Sequence, residues 1–231
     1  MKTKSILWGV SVLATMMIFS SCNKRSPLRD DCGGTIADAV DMGLSVKWAS
    51  WNVGASAPAQ CGNSYAWGEV AAKSDYNWDS YKWAADERSL TKYNTRLDDA
   101  GTDKKTVLDA SDDAATANWG EDWRTPTNAE WEELLENSKK AWTKNYNGSG
   151  VKGYIVTSNI TGNSIFFPAA GISYKNELQA VGSNGYYWSS SLKETNPNFA
   201  WRVDFLEMSC FATSSDLRIY GHSIRPVCTA K

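Results

Sequence analysis

The clearest period in the chain lies at residues 127–138, where Trp131, Leu134 and Leu135 fall at helical spacing and predict one apolar face. Thr127 stands where a helix N-cap would, and Glu130, three residues on, can reach back to the cap's own amide, the pattern of a capping box. Pro126 keeps the residue before it out of helix, and Glu132, Glu133 and Glu136 follow where the helix dipole tolerates acids. A second, short helix is predicted over 111–118, with Ser111 as cap, Asp112 and Asp113 in the first turn and Gly120 beyond the end. Strands are predicted at 45–52, 153–157, 164–168, 185–190, 199–206 and 223–227. In the fifth of these, Trp201, Val203 and Phe205 alternate with Arg202 and Asp204, so one face is expected to be buried and the other wet. Residues 70–108 carry no period. Tyr76, Trp78, Tyr81, Trp83 and Tyr93 are set among polar residues there, which points to a long loop pinned by its own rings. Helices early and strands late predict an α+β domain.

The N-terminal segment changes the picture. Lys2 and Lys4 precede an apolar run from Ile6 to Phe19 that is too short to span a bilayer, and Ser20, Ser21 and Cys22 close it. Small residues before a cysteine resemble a bacterial lipobox. The expected organisation is a signal peptide over 1–21, a flexible tether over 22–34 starting from lipidated Cys22, and a single domain over 35–231. Three acyl chains on Cys22 would anchor the protein far more firmly than one. Removing the leader takes Lys2 and Lys4 with it and leaves 22 basic against 26 acidic side chains, which excludes the basic footprint of a nucleic-acid binder. The chain holds 12 tryptophans, so its core is expected to be built from large rings rather than long helices.

Eight strings occur in order along the domain. They are Asp41-Met-Gly-Leu-Ser-Val-Lys-Trp-Ala49, Asn52-Val-Gly54, Tyr65-Ala-Trp-Gly-Glu69, Ala114-Ala-Thr-Ala-Asn-Trp-Gly120, Trp123-Arg-Thr-Pro-Thr127, Phe167-Pro-Ala-Ala-Gly171, Gly185-Tyr-Tyr-Trp-Ser-Ser190 and Ser223-Ile-Arg-Pro-Val227. Together they resemble the Fibrobacter succinogenes major paralogous domain family. That resemblance implies a C-type lectin-like fold: two helices on a small twisted antiparallel sheet, long loops on one side, and termini close together. It also implies secreted or lipid-anchored proteins without a defined activity. In this frame Trp123, Arg124, Pro126, Thr127 and Glu130 form a structural latch, with Arg124 tying loop carbonyls together. Arg225 is expected to be a partly buried structural cation. An oxidising compartment permits disulfides among Cys32, Cys61, Cys210 and Cys228, which allow three pairings. The closeness of the termini that the resemblance implies favours Cys32–Cys228 and leaves Cys61–Cys210.

Candidate chemistry is sparse. His222 is the only histidine, so no multi-histidine metal site is possible; within Tyr220-Gly-His-Ser it is expected in a turn with a structural or surface role. Glu194 to Asn198 and Trp201 to Asp204 contain letters of a lectin calcium site in the wrong order, and Asp98 to Asp103 lacks a closing glutamate. No metal and no cofactor are expected. Cys210 and Cys228 lack the motif around the cysteine pair of formylglycine-generating enzymes, so no enzymatic activity is expected either. The segment 202–220 departs from the pattern usual for the family and mixes charge with aromatics. Its expected ligand face comprises Arg202, Asp204, Glu207, Phe211, Asp216, Arg218 and Tyr220. The expected function is a non-enzymatic, outer-membrane lipid-anchored protein, facing the periplasm or the cell surface, that binds a protein or glycan. An envelope or appendage assembly component, a retroelement-diversified binder and a degenerate formylglycine-generating-type enzyme are the alternatives.

Overall fold

The structure is a computed structural model and describes residues 37–96, 102–207 and 209–229, with the side chains of 210–213 left aside. The leader, Cys22, Cys32 and the Asp98–Asp99 pair lie outside the described residues. Strands dominate the rest. Strands β1 (Ala39–Val40) and β2 (Val46–Ala49) lead into a long loop region, a 3-10 turn (Ala110–Asp112), helix α1 (Ala114–Trp119), strand β3 (Trp123–Arg124) and helix α2 (Asn128–Glu136). Then follow β4 (Ser138–Thr143), β5 (Gly153–Ser158), β6 (Ser164–Pro168), β7 (Ile172–Tyr174) and β8 (Glu177–Gln179). The last strands are β9 (Asn184–Leu192), β10 (Phe199–Leu206), β11 (Ser209–Leu217) and β12 (Val227–Thr229).

These strands form four small sheets, ordered β1-β2-β12-β3, β11-β10-β9, β4-β5-β6 and β7-β8. The expectation of an α+β, lectin-like fold with two helices as a layer is therefore overturned: the fold is β-rich, and its two helices are six and nine residues long. The physical reason is length. Neither helix has enough turns to cover a sheet, and the aromatic loops and short strands do that covering instead.

The capped helix is as its sequence predicts. Thr127 Oγ1 accepts from the Glu130 amide at 3.2 Å and the Thr127 amide donates to Glu130 Oε2 at 2.7 Å, so both halves of the capping box are made. The cap sets the helix phase that buries Trp131, Leu134 and Leu135. Trp131 then lies against Trp48 of β2 at 4.6 Å between ring centroids, Phe167 of β6 at 5.4 Å, Tyr187 of β9 and Phe205 of β10. One ring thus joins three of the four sheets. Arg124 departs from expectation. It holds Glu130 through both terminal nitrogens and reaches one loop carbonyl, that of Thr125, at 3.4 Å through Nη1, because the capping-box carboxylate is the nearest strong acceptor. The 111–118 helix starts later than predicted: Asp113, not Ser111, caps α1 by accepting from Ala115 N at 2.8 Å.

Two buried arginines hold the loops and strands together. Arg225, fully buried, donates to Asn52 Oδ1 at 2.9 Å, the Ala49 carbonyl at 2.9 Å and the Phe166 carbonyl at 2.7 Å, so it ties β2 to β6. The long loop region is pinned by rings as expected: Tyr76 OH donates to the Ser64 carbonyl at 2.6 Å and Tyr81 OH to the Trp67 carbonyl at 2.7 Å. Trp83 Nε1 donates to the Gly68 carbonyl at 2.7 Å; Gly68 has φ +79° and lies against that same indole, a place where a side chain would be strained.

The cysteines correct one pairing. Cys61 is a free thiol, half-buried, so the Cys61–Cys210 bond is absent. That pairing assumed that every cysteine is used, whereas Cys61 stays a thiol whose burial pushes its pKa up and disfavours the thiolate. Cys228 is buried on β12 in a disulfide whose partner is not among the described side chains.

Candidate functional site

Strands β9, β10 and β11 are antiparallel, with Asp204 opposite Tyr186 on one side and Arg202 opposite Ser214 on the other. Val203 and Phe205 enter the main core as predicted. The alternation breaks before them: the register shifts between Ala200 and Arg202 and again between Arg202 and Asp204. As a result Ala200, not Trp201, is the buried neighbour in a second core cluster. The opposite face is not wet. The Arg202 and Asp204 side chains are only 11% and 15% exposed, and Asp216 is 18% exposed.

These side chains form one cluster. Arg202 pairs with Asp204 and has Nε 3.3 Å from Asp216 Oδ2. Its guanidinium lies 4.6 Å from the centre of the Tyr186 ring. Ser214 donates to Asp204 Oδ2 at 2.9 Å. His222, fully buried, sits behind them with Nε2 3.3 Å from Asp216 Oδ2. Its ring packs against Trp188 at 4.1 Å and Tyr186 at 5.5 Å, and Tyr220 and Tyr174 extend the aromatic border. His222 therefore has no surface role. It reaches this place because residues 221–223 form bridges with the loop at Tyr65, with β7 and with β9 rather than the strand predicted at 223–227.

Electrostatics follow from this burial. Burial pushes the imidazole of His222 down to about 4 despite the nearby Asp216, so it is neutral near pH 7. Burial pushes Asp216 up, but His222 and Arg202 outweigh it and hold the carboxyl below its ordinary value. Both ring nitrogens of His222 and two nitrogens of Arg202 lack a hydrogen bond of good geometry among the described residues. Three of these, Arg202 Nε and Nη1 and His222 Nε2, are nonetheless held in ion-pair contact with Asp204 or Asp216, which leaves His222 Nδ1 as the ring nitrogen without either kind of contact among the described residues.

Of the seven residues expected in the ligand face, four belong to this cluster: Arg202, Asp204, Asp216 and Tyr220. Arg218 does not. It is fully buried, donating to Tyr81 OH at 2.8 Å and to the carbonyls of Pro197, Lys92 and Tyr93 at 3.0–3.2 Å, beneath the Trp67 ring. It is a structural cation like Arg225. Glu207 is apart at the hairpin tip, paired with Lys144 at 3.0 Å. The Phe211 side chain lies outside what is described. His222, Tyr186 and Tyr174 were missed. They lie on other segments, and no local sequence signal places a histidine from residue 222 against a strand at 186. Among the described residues no group of three or more His, Cys, Asp or Glu side chains could hold a metal ion.

No curated protein and no solved structure matches the chain. Residues 136–227, fewer than half of the chain but including the whole of this cluster, are similar to a family described as "Domain of unknown function (DUF8237)".

Proposed function

We propose that this protein is a lipid-anchored component of the cell envelope whose domain binds a protein or glycan ligand through the β9–β10–β11 face. The observation that carries the reading is the cluster itself. A guanidinium, two carboxylates and an imidazole, mostly buried and joined by ion-pair contacts of poor hydrogen-bond geometry, stand beside Tyr174, Tyr186 and Tyr220. Hydrogen-bonding groups of both senses next to aromatic rings suit a ligand that is polar at its edges and apolar on its faces. The lipobox-like segment ending at Cys22 supports the anchor, and the tether supports presentation away from the membrane.

The test is a binding screen. The full chain in detergent is applied to immobilised glycans and purified envelope proteins, in parallel with Asp204→Asn and Tyr220→Ala. Binding that the two replacements weaken by about tenfold or more, about 1.4 kcal/mol, supports the reading. Interactions that survive both unchanged remove it.

A further inference from the structure

A cavity of about 670 Å³ opens between the loop at Val107, the 3-10 turn, α1 and the latch. This is the size range of small-ligand pockets. One wall is apolar: Val107, which is 45% exposed, Leu108 and Ala110, with Thr116 and Thr125 beside them. The floor is rigid. Asp113 is buried, and its carboxylate is filled by Ala115 N at 2.8 Å, Thr125 N at 2.7 Å and Thr125 Oγ1 at 2.7 Å. The rim is different. Arg124 uses its two terminal nitrogens on Glu130 and, more weakly, on the Thr125 carbonyl at 3.4 Å, which leaves its Nε–H without an acceptor among the described residues. Ser111 and Glu121 are exposed at this rim. Glu130 compensates the charge of Arg124, and Glu121 adds a negative one, so an anion is disfavoured. What fits is a neutral ligand that accepts from Arg124, donates to Glu121 and Ser111, and places a small apolar group on the Val107–Leu108–Ala110 wall.

We propose that this cavity binds an N-acetylated sugar unit, with the acetyl carbonyl at Arg124, hydroxyls at Glu121 and Ser111, and the acetyl methyl on the apolar wall. The site is separate from the cluster on β9–β11: Ser190, which lines the cavity, and Tyr186, in the cluster, are four residues apart on β9, roughly 13 Å at strand rise. The experiment uses the full chain in detergent with N-acetylglucosamine as probe, followed by saturation-transfer NMR and calorimetry, with glucosamine and glucose as comparators. Ala110 is exposed at the mouth, so Ala110→Trp plugs the cavity without entering the core. The expected result is saturable binding of N-acetylglucosamine, at least about tenfold weaker binding of both comparators, and loss of binding in Ala110→Trp at unchanged Tm. Arg124→Gln weakens binding about tenfold, whereas Asp204→Asn leaves it unchanged, so failure here and failure of the β9–β11 reading are told apart. No binding by the wild type, equal binding of glucosamine or glucose, or undiminished binding by Ala110→Trp would each overturn the proposal.

Discussion

Arg225→Lys tests how the fold is held. The guanidinium is fully buried and its three hydrogen bonds go to Asn52, Ala49 and Phe166, with no carboxylate opposite. Burial pushes Arg225 down to about 10, so it stays charged at neutral pH. A lysine ammonium is a point donor on a flexible stem and cannot reproduce three directions at once. It leaves about two buried acceptors unpaired. Hydrogen bonds to charged groups contribute about 1.5–3 kcal/mol each. Two lost bonds, softened by partial relaxation, predict a loss of about 3–5 kcal/mol. That is a large share of the 5–15 kcal/mol typical of a domain. For a chain of this size each kcal/mol moves Tm by about 2–4 °C, so the drop is about 6–20 °C. The assay is thermal unfolding followed by tryptophan fluorescence, with Arg124→Lys as comparator. Arg124 is 39% exposed, so its bond to Glu130 is screened, and about 1 kcal/mol or less is expected there. A loss for Arg225→Lys no greater than for Arg124→Lys would refute the reasoning.

Acid should weaken the fold through His222. Its folded value is about 4 against 6.5 in its ordinary state, so the unfolded chain takes up the proton first. Stability is full above pH 6.5 and is lost as pH falls toward 4, by about 3 kcal/mol at about 1.4 kcal/mol per pH unit; His222→Gln flattens that part of the profile, as urea unfolding at stepped pH would show. Peptide mapping without reduction should find Cys228 joined to Cys32, since Ala37, five residues after Cys32, packs against Cys228, while Cys61 alkylates only on unfolding. A Cys228–Cys210 peptide would refute that pairing. Cys22→Ala is expected to move the protein from the detergent phase to the aqueous phase in a partition assay, and no shift would remove the lipid anchor.

What the sequence revealed depended on the strength of local signals. The α2 cap was readable because Thr127, Glu130, Trp131 and Leu134 carry both a capping pattern and a helical period. β5, β6 and β10 were readable because each is at least five residues long and rich in β-formers. β4 was not, since its Lys139 and Lys140 lie on an exposed outer strand and mask its pattern. β7 and β8, three residues each, are too short to show alternation. The weight given to helices was misplaced for the same reason: α1 and α2 announce themselves clearly through caps, while the short strands that outnumber them do not. In the candidate site, Arg202, Asp204, Asp216 and Tyr220 share a segment and were found together. Arg218 has the same composition signal, yet its side chain turns inward to Tyr81 and the carbonyls of 92–93 and 197, which only tertiary structure decides. His222 joined the cluster through its bridge with Tyr65 and that of its neighbour Gly221 with Ser173, contacts made across large sequence separations.

The central claim is that the Arg202–Asp204–Asp216–His222 cluster and its tyrosine border form the ligand face. It is tested most directly by titrating the strongest ligand from the binding screen into the wild type, Asp204→Asn and Tyr220→Ala, each with Tm recorded. The prediction is a loss of affinity of about tenfold or more in both variants, measured at a temperature where each is fully folded, with a lowered Tm for Asp204→Asn because Arg202 loses a buried partner. Unchanged affinity in both variants, with the fold intact, would contradict it.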